Sequence, residues 1–330
     1  MHGAIELVKL RGDSQFQHPL GLRLFLQLNS TILIGCMQHD IKVPTDLINL
    51  RCKASSYVNP MDPKLNVSEI VVQFVELRVA IKHGLLNKAL LDAARSLDVQ
   101  LSTIAEYLPH KWKYETIKIQ SPCRQVYEQH FHVYSDHHIT HTWNNIRIVR
   151  ILLNTLLREQ RLSQARSLEG PTFSQDLEDD AGNLSDLIAS LSKDILASVA
   201  QYTRLPRLSY DSWVSCASTN TPNRSSPPAG HAIPLPGVSS SGLNRSKSES
   251  DGFTLYEMSR CYSLIFPLYI AGASEVCHSS LRQWVLYMLE YMQNNIGIKE
   301  AAVAAGCLKQ RETINPWSVY AKIGSYSFSA

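Results

Sequence analysis

Apolar residues recur at spacings of three and four through most of this chain, while alternating β-branched runs are almost missing. The first pattern lays a stripe along one face of a helix, and a strand would need a period of two. Ile5, Leu7, Val8 and Leu10 mark a helix that Gly12 stops. Pro19 suits a first helical position and opens a long apolar helix from Leu20 to about His39. Its apolar residues (Leu22, Phe25, Leu26, Ile32, Leu33, Cys36, Met37) are too widely spread for one stripe, which predicts burial on several sides. Pro44 opens a further helix to about Tyr57.

Asn66 followed by Glu69 reads as a cap and first-turn acid, starting a helix through Lys82 that Gly84 closes. Ala89 to Tyr107 repeats the arrangement and ends at Pro109. Ser135 is expected to cap a helix carrying Ile139, Trp143, Ile146, Arg150, Leu153 and Leu157, as far as about Ala165. An acidic loop, Asp176 to Asp180, then precedes a helix from Leu184 to about Tyr202. Thr116 to Ile119 is the one strand candidate. The expectation is an all-α fold, a multi-helix regulatory domain with a disordered Pro/Ser-rich insertion.

The insertion is placed at 213–253. Pro222, Pro227, Pro228, Pro234 and Pro236 fall there among Ser, Asn, Thr and Gly, with too little apolar surface to offset the entropy of ordering. Residues 1–212 are read as the first part of the helical domain, 254–311 as closing helices that pack back on it, and 312–330 as a tail. Within the closing helices, one helix runs from Leu255 to Gly272 and is expected to kink at Pro267. A second begins at Ser274 or Glu275 and reaches Asn294, with Leu281, Trp284, Val285, Met288 and Met292 facing inward. Trp317, Tyr320, Tyr326 and Phe328 show no period, so packing and dangling both remain open for the tail.

Composition narrows the function. A net charge of +3 over 330 residues gives no whole-molecule field for nucleic acid. No uninterrupted apolar run approaches the length of a spanning helix, and no membrane association is expected. The N-terminus lacks the basic region of a signal peptide. Seven cysteines without any Cys-x-x-Cys pair read as free thiols in a reducing compartment. Nucleophile-elbow, phosphate-loop and dinucleotide motifs are missing, so neither catalytic residues nor a cofactor are assigned and the chain is read as no enzyme.

Three constellations remain. His130 and His132 alternate, and His137, His138 and His141 lie near Asp136. His137 and His141 are one helical turn apart, a spacing that grips zinc, with Asp136 as a further ligand; the competing reading is a set of half-buried polar positions at a helix start. Arg147 and Arg150 sit among Ile and Leu, which favours buried or rim ion pairs over phosphate binding. Ser248, behind Arg245 and Lys247, is a candidate phosphorylation site.

Four segments carry a resemblance. They are the opening from His2 through Arg11-Gly12 to Phe16 and Gly21; Val133-Tyr-Ser-Asp136 with Trp143-Asn144 and Arg147-x-x-Arg150; Ser263 to Ser274 with Pro267 and Gly272; and Leu281-Arg-Gln-Trp284-Val285 with Ile296-Gly-Ile-Lys-Glu-Ala301. In this order they resemble the regulatory region of fungal zinc-cluster transcription factors. The resemblance implies an all-α nuclear regulator that acts by protein interaction with a paralogous transcription factor or a co-regulator, with a small-metabolite effector. It marks Arg11, Gly12, Trp143, Asn144, Arg147, Pro267, Gly272 and Trp284 as structural positions. The family's DNA reader holds two zinc ions with six clustered cysteines, and here the first cysteine gap runs from 36 to 52. No direct DNA contact is therefore expected from this chain. Because the chain begins inside a motif, coding sequence upstream of Met1 is expected. The alternatives are a truncated or mis-annotated fragment without independent function, and a metal-binding protein using the His130–His141 cluster.

Overall fold

The computed structural model describes residues 2–59, 62–84, 86–167, 171–203, 252–310 and 315–324, with side chains described except at 171–174. The fold is all-α with one small two-stranded ribbon. Most of the expected insertion, Ser248 and the last six residues lie outside the described residues.

Helix α1 (His2–Arg11) ends at Gly12, whose φ of 72° is the left-handed conformation a glycine stop provides. A short 3₁₀ turn, Asp13–Gln17, leads into α2 (Pro19–His39) with Pro19 in its first turn. The turn is clamped from both sides. Gln15 Nε2–H donates to the carbonyls of Val8 and Gly12 at 2.7 and 2.8 Å, and Gly21 packs directly on the Gln15 carbonyl. The second half of α2 is buried through Ile32, Leu33, Ile34, Cys36 and Met37, but its first half leaves Leu20 69% and Leu24 50% exposed. With a mean hydropathy of 1.4 over its best window, α2 is by length and composition apolar enough to cross a membrane, although Arg23, Gln27 and Asn29-Ser30-Thr31 break its apolar residues into short runs.

Next come α3 (Thr45–Ser55), α4 (Pro63–His83) and α5 (Lys88–Glu106). The start of α4 corrects the sequence reading. Asp62 is the cap, accepting from the Lys64 amide at 3.0 Å, so Asn66 lies inside the helix. An aspartate before a proline offers a capping oxygen and a residue preset for the first turn, and that pair outcompetes Asn66.

The ribbon pairs β1 (Glu115–Lys118) antiparallel with β2 (His130–Val133), placing Ile117 opposite Phe131. Helix α6 (His137–Ser167) follows, then α7 (Pro171–Ala197). The expected acidic loop 176–180 is helical, since α7 begins well before it. Acids favour the N-terminal part of a helix as readily as a loop.

The closing part contains α8 (Leu255–Tyr262), α9 (Ile265–Ala273), α10 (Ser279–Tyr291), α11 (Glu300–Gln310) and α12 (Pro316–Ile323). The single kinked helix expected from 255 to 272 is two helices, broken at Ser263 and Leu264. Pro267 falls in the first turn of α9, where an amide proton has no intrahelical acceptor and its loss is harmless. The following helix starts at Ser279, capped by the His278 ring, and finishes in a π turn at Met292–Ile296 closed by Gly297 at φ 88°.

One apolar core runs from Ile5 and Phe16 through Ile146 and Ile195 to Phe266, Val285 and Tyr320. Trp317 and Tyr320 are fully buried against Phe266, with ring centroids 5.2 and 4.8 Å away. Residues 316–323 are therefore a core helix and no loose tail. A period of three between Trp317 and Tyr320 is too short a run to announce this in sequence.

Candidate functional site

The most polar part of the interior lies where the ribbon closes on α6. Arg147 is only 1% exposed. Its Nη1 donates to the Tyr134 hydroxyl at 2.8 Å and to Asn144 Oδ1 at 3.0 Å, and its Nη2 approaches His132 Nδ1 at 3.5 Å. The guanidinium carbon lies 5.2 Å from the ring centres of both Tyr114 and Trp143, within cation–π range. Asp194 on α7 stands 3.9 Å from Nε.

The network fixes protonation states. Arginine can only donate, so the His132 Nδ1 facing it must be an unprotonated acceptor, also reached by Tyr134 Oη at 3.2 Å. Burial first, then the Arg147 charge, pushes His132 down to about 3. Burial raises the Asp194 carboxyl, and Arg147 pulls the other way. Trp143 Nε1–H donates to the Trp112 carbonyl at 2.8 Å, and Asn144 Nδ2–H donates to Ser198 Oγ at 3.0 Å. Trp143, Asn144 and Arg147 thus tie α6 to three separate segments. One turn on, Arg150 Nε–H meets Asp98 of α5 at 2.8 Å and Asn154 bonds the same oxygen at 2.8 Å. Both arginines serve internal pairs, as their apolar neighbours suggested. The Arg147 guanidinium, only 1% exposed, offers no surface to a phosphate, although its Nε is left without a hydrogen-bond acceptor.

The histidine cluster is divided between two elements. His130 and His132 belong to β2, whereas His137, His138 and His141 belong to α6. Asp136 caps α6, its Oδ1 accepting from the His138 amide at 2.8 Å, while the expected cap Ser135 donates instead to the Lys111 carbonyl at 3.1 Å. Asp98 and Asp136 are both spoken for by the protein's own donors. The His137 and His141 rings are 6.4 Å apart at 61°, and His141 Nδ1 lies 3.3 Å from Asn145 Nδ2. Burial, followed by the neighbouring His141 and Arg260 charges, lowers His137 to about 4. Among the described residues, no three metal-binding side chains converge.

The other marked positions are scattered over the helices. Arg11 is an exposed end of α1. Gly272 packs against Val285 and Leu308, where an added Cβ would come within 3.0 Å of Val285. Trp284, expected to face the core, is half-buried instead. Its Nε1–H donates to the Arg124 carbonyl at 3.0 Å and its ring meets Tyr127, so it pins the loop before β2. Beside Gly272, a cleft of about 1020 Å³ opens between α6, α7 and the closing helices, floored by Ile151, Ile188 and Leu308. At its rim, burial and the Glu275 charge raise the Glu159 carboxyl.

No family model matches this chain, and no curated protein or solved structure matches it either.

Tyr134 was present in a quoted motif, but its partner role and those of His132, Tyr114, Asp194 and Asp98 were not legible. The Phe131/Val133 alternation beside Thr116–Ile119 was the available signal for a second strand.

Proposed function

We propose that this chain is a non-catalytic regulator of transcription, the regulatory and interaction region of a fungal zinc-cluster type factor. It acts in the nucleus by binding a paralogous factor or a co-regulator, with a small metabolite as effector and without touching DNA itself. One observation carries the reading. The helices that carry the four segments resembling that family contribute to one core, and three of the marked residues (Asn144, Arg147, Gly272) occupy tight or buried positions. That is how a domain whose parts must move together would be built.

The test is proximity labelling by the full chain expressed at its native level. Enrichment of transcription factors and co-regulators is the expected result. A labelled set without any nuclear or transcription-linked protein contradicts the reading.

A further inference from the structure

The two edges of the β1–β2 ribbon differ. Ile119, directly after β1, donates its amide to the carbonyl of Gln129, directly before β2, at 2.9 Å. In an antiparallel pair, hydrogen-bonded and non-hydrogen-bonded residue pairs alternate. Counted from that bond in the observed register, Ile117 with Phe131 and Glu115 with Val133 are the bonded pairs inside the ribbon. The amides and carbonyls of Thr116 and Lys118 therefore point out of it on the β1 side. On the β2 side the outward groups are those of His130, His132 and, just beyond the strand, Tyr134.

The β2 side is closed. The Tyr134 amide donates to Gln201 Oε1 at 2.9 Å, and Gln201 Nε2–H donates to the Tyr134 carbonyl at 2.8 Å. One side-chain amide thus stands where the backbone of a third strand would be. Helix α7 and the 3₁₀ turn Ala200–Tyr202 pack along the same strand. The β1 side is open. Among the described residues, neither the amide nor the carbonyl of Thr116 or Lys118 has a hydrogen-bond partner, and both residues are exposed. Such a row of unanswered backbone groups is a template for another strand.

The side chains narrow what that strand can be. Between His110 and Gln120 the chain carries Lys111, Lys113 and Lys118, all exposed, against Glu115 alone. Lysines on an edge repel another lysine-bearing edge, which works against a second copy of β1 and in favour of an acidic segment. Thr116 and Lys118 share one face of the strand, and Glu115 and half-buried Ile117 share the other. Acids placed beside Lys118 would lie on the face away from Glu115, with apolar residues beside Ile117.

We propose that the free edge of β1 binds an extended acidic peptide segment by antiparallel strand addition, its acids alternating with β-branched apolar residues. Main-chain bonds to Thr116 and Lys118 supply the docking, and the Lys118 and Ile117 side chains select the sequence. The claim stands on the ribbon alone; only assigning the segment to a transcriptional partner rests on the reading above.

Calorimetric titration of the full chain with a capped peptide of alternating aspartate and valine tests it without any partner protein. Binding at one site is expected, weakened at least about ten-fold when lysine replaces aspartate. Methylating the aspartate amides should abolish binding, because those amides meet Thr116 and Lys118, whereas methylating the valine amides should leave it unchanged. Thr116→Pro removes an outward amide and no bond of the ribbon, so affinity should fall about ten-fold at an unchanged melting temperature. If Thr116→Pro fails to fold, the two methylated peptides still decide. The proposal is overturned by absence of saturable binding, by equal binding of the lysine peptide, or by equal binding of the two methylated forms. A peptide-free dimer that Thr116→Pro dissolves would overturn it too, by making a second copy the occupant.

Discussion

Arg147 is a charge in the interior whose partners come from four places in the chain: Tyr114 and His132 with Tyr134, Asn144 on its own helix, and Asp194 on α7. Removing one member of such a set strands the others, which is costlier than never having buried them. Arg147→Met is expected to lose about 3–5 kcal/mol in denaturant unfolding. Arg147→Lys should recover little of it, because an ammonium cannot fill a planar fork. The same centre sets a pH dependence. His132 is held near 3 and His137 near 4, both below the 6.5 of an unfolded histidine, so the unfolded chain takes up protons first as pH falls. Stability is then full above about pH 6.5 and declines below it toward pH 4, with a limiting slope of about 1.4 kcal/mol per pH unit per histidine. His132→Gln should flatten that acid limb in unfolding measured from pH 7 to 4. Of this centre the sequence exposed Trp143, Asn144 and Arg147. The rest was hidden, because Tyr114 and Asp194 approach from over thirty residues upstream and over forty downstream, and periodicity speaks only of neighbours.

Helices α1, α2 and α5 begin and end within a residue or so of where their caps and punctuation place them. Errors arose where two signals competed. Asp62-Pro63 defeated Asn66, Asp136 defeated Ser135, and a break at Ser263 and Leu264 made the expected proline kink unnecessary. Glycines show the same dependence on context. A Cβ at Gly21 would sit 2.2 Å from the Gln15 carbonyl oxygen, whereas at Gly306 it would meet nothing within 4 Å. Inside an unhindered helix, Gly→Ala gains about 0.5–1 kcal/mol. Gly306→Ala should show that gain, while Gly21→Ala should reverse it and lose about 1–3 kcal/mol, because the backbone of the turn must move. Thermal unfolding of the two variants compares them directly.

At the scale of the whole molecule, the closing helices join the core that α1 begins. Ile5 and Ile323 belong to the same apolar cluster, and α12 brings Trp317 over Phe266 and within 5.6 Å of the Arg78 guanidinium on α4. Trp317→Ala should therefore cost about 3–5 kcal/mol, as a large buried aromatic does, and lower the melting temperature of the entire chain. The all-α class was legible because helical periodicity is local and abundant. That residues beyond 312 finish the core was not, since only the assembled fold brings α12 against α2 and α9. The functional reading leans on this unity, for segments that resemble one regulatory region should open and close as one body. Native-state hydrogen exchange followed by mass spectrometry tests it most directly. Amides of α2, α6, α9 and α12 should exchange through a single shared opening with one free energy. Independent, easier exchange of α9 to α12 while α2 and α6 remain protected would contradict the account.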